Sequence, residues 1–224
     1  MQPVVFITGT DTGAGKTALT ALLARHLRQH GIAVAALKPV AAGGRADARI
    51  LQTALEGGLM LAEINPWHFR ASLAPVLAAR HERRTVTRAG VLAHIRKMQR
   101  RFDVVVVEGA GGLLSPLGED FDSRDLIAAL QATPIIVGPN RIGVVNQMRL
   151  TLAALPRATA ARACVVLMSP PRPDATTKTN AGLLAEFFRA DRIFTLPWLG
   201  GHFEVEPALK SRQVQRTLQT LIPI

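Results

Sequence analysis

The sequence predicts an α/β protein, with a doubly wound, mainly parallel sheet and helices on both faces. Near-continuous apolar runs recur along the chain, with little alternation of apolar and polar residues, and strands buried on both faces read that way. Between these runs lie segments with apolar residues at helical spacing, and strand alternating with helix builds right-handed βαβ units. A glycine-rich stretch, GTDTGAGKT at 9–17, joins the first run to the first helical segment, at the edge where open α/β sheets bind ligands.

VVFIT (4–8) is the first strand. Leu19, Leu22, Leu23 and Leu27 then form one apolar stripe, and Gly31 is its natural stop. IAVAAL (32–37) is the second strand. Residues 47–101 show no clear strand and predict several helices. VVVVE (104–108) follows as the third strand, and Asp122-Ser123 opens a helix at about 123–131. PIIVG (134–138), ACVVLM (163–168) and RIFTL (192–196) are the remaining strands, with helical spacing at 143–155 and 177–189. SPPRPDATTKT (169–179) reads as an exposed loop. No internal repeat, linker or low-complexity tail is visible, so residues 1–224 predict one domain.

The composition bounds the function. With 48% hydrophobic and 19% charged residues, the chain has the balance of an ordinary globular protein. No apolar run approaches the roughly 20 residues that span a bilayer, so no membrane partner is expected. MQPVVFITG lacks the basic start of a signal peptide and reads better as a buried strand. The one cysteine, Cys164, excludes an internal disulfide and predicts a reducing, cytoplasmic location. It lies in an apolar run and reads as a core residue.

The net charge of +11 raises nucleic acid or an acidic membrane surface as partners. Arginines are scattered, however, tyrosine is absent and aromatics are 4%, so the stacking platform of a single-strand binder is missing. The expectation is no nucleic acid. The densest basic stretch, Arg80 to Arg101, predicts a solvated helical surface, and a basic surface also suits an anionic substrate.

Three motifs carry the chemistry. In GTDTGAGKT the glycines turn backbone N–H groups inward onto phosphate oxygens, and the helix beginning near Gly15 adds its positive end. Gly13, Ala14, Gly15, Lys16, Thr17 and Ala18 form the predicted grip on a nucleotide's phosphates, with Lys16 on the outer phosphates and the Thr17 hydroxyl on Mg²⁺. The strict P-loop pattern places its first glycine where this chain has Thr10; Gly9 stands one residue earlier. In VVVVEGAGG (104–112) an apolar strand delivers Glu108 to the ligand edge, where P-loop enzymes use a carboxylate for Mg²⁺. Gly109, Ala110 and Gly111 then permit close approach. In LKPVAAGGRAD (37–47) Lys38 closes the second strand, placed to stabilise charge developing on a phosphoryl or acyl oxygen. Asp47 opens the next helix as a metal ligand with Thr17 and Glu108, as an N-cap, or as both.

Together these motifs resemble the dethiobiotin synthetase family of ATP-dependent enzymes of biotin synthesis. The family pattern GTDTxxGKT is met at 9–17, KPVxxG at 38–43 and VEGAGG at 107–112, and the Asp of a segment like SDALALQ is matched in ADARILQ at 46–52. NRIGVVNQMRLTLAAL (140–155) is similar to the family's helix entry and LPWL (196–199) to its late Pro-Trp-Leu turn. The resemblance implies ATP and Mg²⁺, with 7,8-diaminopelargonic acid and CO₂ as substrates. One amine captures CO₂ as a carbamate, ATP phosphorylates it to a carbamic-phosphoric anhydride, and the other amine closes the cyclic urea. It assigns Lys16 and Lys38 to charge neutralisation, and Thr12 to the region of the phosphate and diamine. Ala42 falls on the substrate side, and Gly143, Val144 and Asn146 on the substrate carboxylate. Ser169, Pro197, Trp198 and Leu199 fall around the base, and the family's homodimer is implied.

The chain also departs from the family. Ala42 stands where a Ser or Thr is usual, Ser169 where an Asn reads adenine, and Gly200-Gly201-His202 where an acidic residue often follows the Pro-Trp-Leu turn. The tyrosine that closes the pocket in some members has no counterpart. Two alternatives stand beside this reading. One is a partition or septum-positioning P-loop ATPase, against which speak the absence of an extra lysine early in the loop and an expected lack of a C-terminal amphipathic helix. The other is a paralogous amidoligase.

Overall fold

A computed structural model describes residues 2–222. Its centre is a six-stranded, all-parallel sheet. The strands are β1 (Val4–Gly9), β2 (Val34–Leu37), β5 (Val104–Glu108), β6 (Thr133–Pro139), β7 (Cys164–Met168) and β8 (Ile193–Leu196), in the order β2-β5-β1-β6-β7-β8. β1 and β2 are buried along their whole length, as their unbroken apolar character requires. The chain crosses β1 when it passes from β5 to β6, so the carboxyl ends of β1, β2 and β5 form the crevice expected at a switch point. Register fixes this crevice. Ile7 pairs with Glu108 and Leu37 with Val107, so the turn after β1, the residue after Leu37 and the last residue of β5 emerge at one level.

Helix α1 (Lys16–Gln29) buries Leu19, Leu22, Leu23 and Leu27 against the sheet. Gly31, just past its end, has the positive φ of 78° that a helix stop favours. Residues 47–101 do contain helices: α2 (Ala46–Ala54), the one-turn α3 (Leu61–Ile64), α4 (Pro75–His81) and α5 (Arg88–Gln99). They also contain a strand the sequence did not predict. β3 (Val40–Ala42) pairs in parallel with β4 (Trp67–Phe69) as a separate two-stranded sheet. Strands of three residues are too short to show a period, and this pairing joins segments 25 or more residues apart.

Helix α6 (Ser123–Leu130) begins where expected, with the Asp122 side chain accepting the Asp125 N–H at 3.1 Å. Beyond β6 come α7 (Val144–Ala153) and the short α8 (Arg157–Ala161), then α9 (Ala175–Ala185). α9 starts inside the stretch predicted as loop, because Asp174 caps it by accepting the Thr177 N–H at 2.9 Å. The Pro-rich part, 170–173, remains non-helical.

α10 (Val205–Leu209) and α11 (Arg212–Leu221) close the described chain. The expectation of no C-terminal amphipathic helix is therefore wrong: α11 is one. Its apolar residues Val214, Leu218 and Leu221 are buried in the core, so it presents no free apolar face. The basic stretch Arg80–Arg101 behaves as expected. α5 buries Val91, Leu92, Ile95 and Met98 and turns Arg88, Arg96 and Lys97 to solvent. Among the described residues no helix is long and apolar enough to cross a membrane.

Candidate active site

The turn after β1 holds its shape through two glycines. Gly13 and Gly15 have φ of 74° and 97°, left-handed values that glycine adopts without strain. Gly15 is also pressed by the Met168 side chain, so a methyl group there would meet its Cγ at 2.9 Å. Gly15 occupies the cap position of α1, whose first turn has no acidic residue and no side-chain cap. The first N–H groups of α1 and its positive end are thereby left for an anion.

Lys16 is buried and folds back, its Nζ donating to the Asp11 carbonyl at 2.8 Å. Burial, with the nearby Lys38 charge in the same sense, holds its pKa below the ordinary lysine value despite Glu108. A buried ammonium paired only with a carbonyl is a cation whose lost hydration a phosphate would offset.

Beside it is a chain of polar contacts. Thr17 Oγ1 donates to Glu108 Oε1 at 2.7 Å. Lys38 Nζ donates to the same oxygen at 2.8 Å and to the Asp47 carboxylate. Glu108 is 1% exposed and Lys38 7%. Burial alone would depress Lys38, but the charges of Glu108 and Asp47 outweigh it and hold the ammonium above its usual value. Lys38 is thus a fixed cation rather than a proton acceptor. Asp47 is not an N-cap: Arg45 holds that position, and Asp47 lies in the first turn of α2, pointed at Lys38.

The loop after β5 is shaped partly by the protein itself. A methyl on Gly109 would meet Ser123 Oγ at 2.7 Å, so that glycine answers to packing, and it lies outside the main cavity.

These groups line a cavity of about 830 Å³. Thr12, Gly13, Gly15, Lys16, Thr17 and Ala18 form one side, and Lys38, Ala42 and Asp47 another. Glu108, Ala110 and Gly111 complete the predicted set. Ala14 is buried beneath the loop. Sequence reasoning missed the far wall, Ser72 to Pro75 with Ser115 and Pro116. The 72–75 wall is delivered by the unforeseen β3–β4 pair, and the LSP run at 114–116 gave no motif signal.

Ser169, Pro197, Trp198 and Leu199 are not among the cavity-lining residues. They lie just past β7 and β8, tied together by the Ser169 N–H donated to the Leu196 carbonyl at 2.9 Å. Gly143 begins α7 with φ of 88°, Val144 is buried and Asn146 is exposed on a different groove. The structure therefore brings the phosphate turn, Lys38, Asp47 and Glu108 together in one cavity and leaves outside it the positions predicted for the nucleotide base and for the substrate's carboxylate.

The residues fit a Mg²⁺ ion. Glu108 Oε2 is buried with no hydrogen-bond partner among the described residues, and Thr17, Asp47 and Glu108 offer only oxygen donors. Mg²⁺ takes one or two carboxylates plus substrate phosphates rather than a full protein cage. That agrees with the lack of any larger His, Cys, Asp and Glu cluster among the described residues.

A parallel sheet with an anion-binding turn, a buried lysine pair and a metal-compatible carboxylate at one edge defines a P-loop nucleotide-binding enzyme. In agreement, the family model described as an AAA domain matches residues 4–202. The ATP-dependent dethiobiotin synthetase BioD of Anaeromyxobacter dehalogenans is 39% identical over 199 residues, covering 87% of this chain and 89% of its own. Proteins of the same name from Bacillus subtilis subsp. natto and Methanococcus vannielii are 33% and 35% identical, over 87% and 66% of this chain and 84% and 71% of theirs. The chain belongs to the ATP-dependent dethiobiotin synthetase family. A solved structure of pNOB8 ParA bound to nonspecific DNA aligns over 99% of this chain and 97% of its own, with a TM-score of 0.58 and 14% identity, a likeness of fold alone.

Proposed function

We propose that this protein, as one catalytic domain per chain, carboxylates 7,8-diaminopelargonic acid and closes it to dethiobiotin, using CO₂ and ATP. The observation that carries the reading is the convergence of Lys16, Lys38 and Glu108 in one cavity that also has room beside them for a small organic substrate.

The carbamate and the phosphate it receives are both anions, and bringing them together is opposed by their charge. Lys16, short of hydration, binds the outer phosphate oxygens. Lys38, kept protonated by Glu108 and Asp47, stabilises charge on the carbamate and on the phosphoryl group in flight. The N–H groups from Gly13 to Thr17 hold the remaining phosphate oxygens. Thr17, Asp47 and Glu108 would hold Mg²⁺, which supplies further charge neutralisation at the phosphates. Thr12 and Ala42, both lining the cavity, are assigned to the diamine.

For the distal carboxylate we assign the start of α7, Gly143 to Asn146, reached in a homodimer. The exposed apolar residues Ile142, Leu150 and Leu114, respectively 82%, 63% and 51% exposed, support such an interface. The nucleotide base falls to the turns at Ser169 and at Pro197 to Leu199. The protein works in the cytoplasm, in keeping with its one unpaired, buried cysteine.

Purified protein with diaminopelargonic acid, bicarbonate and Mg-ATP should give one dethiobiotin per ADP and phosphate, identified by mass. ATP hydrolysis with no cyclic urea formed would overturn the assignment.

A further inference from the structure

The far wall of the cavity carries a hydroxyl that none of the roles above uses. Four hydroxyl side chains line the cavity: Thr12, Thr17, Ser72 and Ser115. Thr17 is committed to Glu108, and Ser115 Oγ accepts the Gly112 N–H at 2.9 Å. Thr12 belongs to the phosphate turn. Ser72 lines the cavity as an exposed residue, with its hydroxyl open to a ligand.

Its position is set by the small sheet. Ala42 pairs with Phe69, and the Gly43 N–H donates to the Phe69 carbonyl at 3.0 Å. The chain continuing from β4 is thereby held against the end of β3. Ser72 Oγ lies 3.0 Å from where a methyl on Gly43 would sit. Ala42 and Lys38 line the same cavity, and the Ala42 methyl group offers no polar contact there.

A diamine carrying a new carbamate presents N–H donors and carboxylate oxygens together. A hydroxyl both donates and accepts, and suits that end of the molecule better than it suits phosphate, for which the cations already provide.

We propose that Ser72 is a specificity-determining residue that binds the diamine end of the substrate and its carbamate, and takes no part in gripping ATP. This rests on the diamine reading of the site. The test is steady-state kinetics of Ser72→Ala, with calorimetric binding of 7,8-diaminopelargonic acid to the full chain. The KM for the diamine should rise roughly two- to ten-fold, the scale of one neutral hydrogen bond, with the KM for ATP unchanged. Ala42→Ser, added to Ser72→Ala, places a hydroxyl on another residue lining the same cavity and should recover most of the loss, an outcome a purely structural role for Ser72 would not give.

An unchanged diamine KM in Ser72→Ala, an equal rise in both KM values, or no recovery in the double variant would each overturn the assignment of Ser72 while leaving the proposed reaction standing. Wild-type protein that neither binds nor converts the diamine would overturn both.

Discussion

Lys38 is the residue whose loss should cost most. Its ammonium lies between the carboxylates of Glu108 and Asp47 inside the cavity. Lys38→Gln keeps a polar side chain that can still donate hydrogen bonds, one atom shorter, but removes the charge. Losing one preorganised charge contact costs about 3–4 kcal/mol in the barrier, so kcat should fall on the order of 10²–10³. A folded variant with wild-type kcat would remove Lys38 from the chemistry. The two carboxylates make a second prediction. Glu108→Gln and Asp47→Asn should each raise the Mg²⁺ concentration for half-maximal activity, and the double variant should show less than the combined effect, because both serve one ion. If neither single variant changes the Mg²⁺ titration, the shared site is wrong. Lys38 and Glu108 were legible because each ends an apolar run, and the end of a buried parallel strand is the ligand edge; Asp47 was legible because it opens the helical stretch that follows. Ser72 was not legible. It follows a three-residue strand and reaches the cavity through a pairing that no local pattern announces.

Among the elements, α9 shows how a polar contact can fix a loop at a distance. Asn140, at the end of β6, is 1% exposed, and Asn180 on α9 is 6% exposed. Asn180 Nδ2 donates to Asn140 Oδ1 at 2.9 Å and to the Arg141 carbonyl at 3.2 Å, while Asn140 Nδ2 donates to the Thr177 carbonyl at 3.0 Å. This clamp holds the turn that leads into α7. Asn180→Ala leaves the buried Asn140 Oδ1 without its donor, while the Arg141 carbonyl still accepts the Val144 N–H, and should destabilise by about 1–3 kcal/mol. In a protein of this size each kcal/mol lowers Tm by about 2–4 °C. An unchanged melting temperature would show that water satisfies that acceptor and that the clamp adds nothing. The helix spacing at 177–189 was visible in the sequence, but the start of α9 was not. Asp174 sits among prolines and threonines that read as loop, and its capping role depends on Thr177 three residues on. α11 was not legible from the final residues TLQTLIPI, which hold Leu218 and Leu221 but not Val214, the position that completes the apolar face.

For the whole molecule, two imidazoles, one buried and one half-buried, make stability depend on mild acid. His26 is 3% exposed, and burial, then the neighbouring His30, holds it below its ordinary value. His94 is lowered by burial, which outweighs its contact with the Glu63 carbonyl. Both are favoured neutral when folded, whereas the unfolded chain takes up their protons near about pH 6.5. Below that pH the unfolded state binds more protons. The contribution is therefore fully present above about 6.5 and is lost as pH falls toward the lowered folded values. Tm should drop between about pH 7.5 and about pH 5.5, and less so in His26→Gln. A flat profile would mean these histidines are hydrated when protonated in the native state.

The charge of +11 is the remaining whole-molecule feature whose meaning can be tested. Several arginines are already answered: Arg25 by Glu56 and Glu206, Arg80 by Glu119, Arg101 by Glu63 and Arg189 by Asp191. Others, such as Arg88, Arg96 and Lys97 on α5, are exposed cations on a solvated helix. Cations of this kind attract any polyanion at low salt, by releasing its counterions, and the attraction falls steeply as salt rises. A protein making six to ten phosphate contacts loses about 10³–10⁵ in affinity between about 50 and 200 mM. Affinity that survives that range needs additional contacts, such as stacked bases, and the chain has no tyrosine and only 4% aromatic residues. Duplex DNA should therefore bind weakly at low salt and be released at physiological salt, with no dependence on ATP. Fluorescence anisotropy across a salt series measures this directly. Sub-micromolar binding that persists at about 200 mM salt and responds to ATP would show that the basic surface has a nucleic-acid function beside the synthetase site.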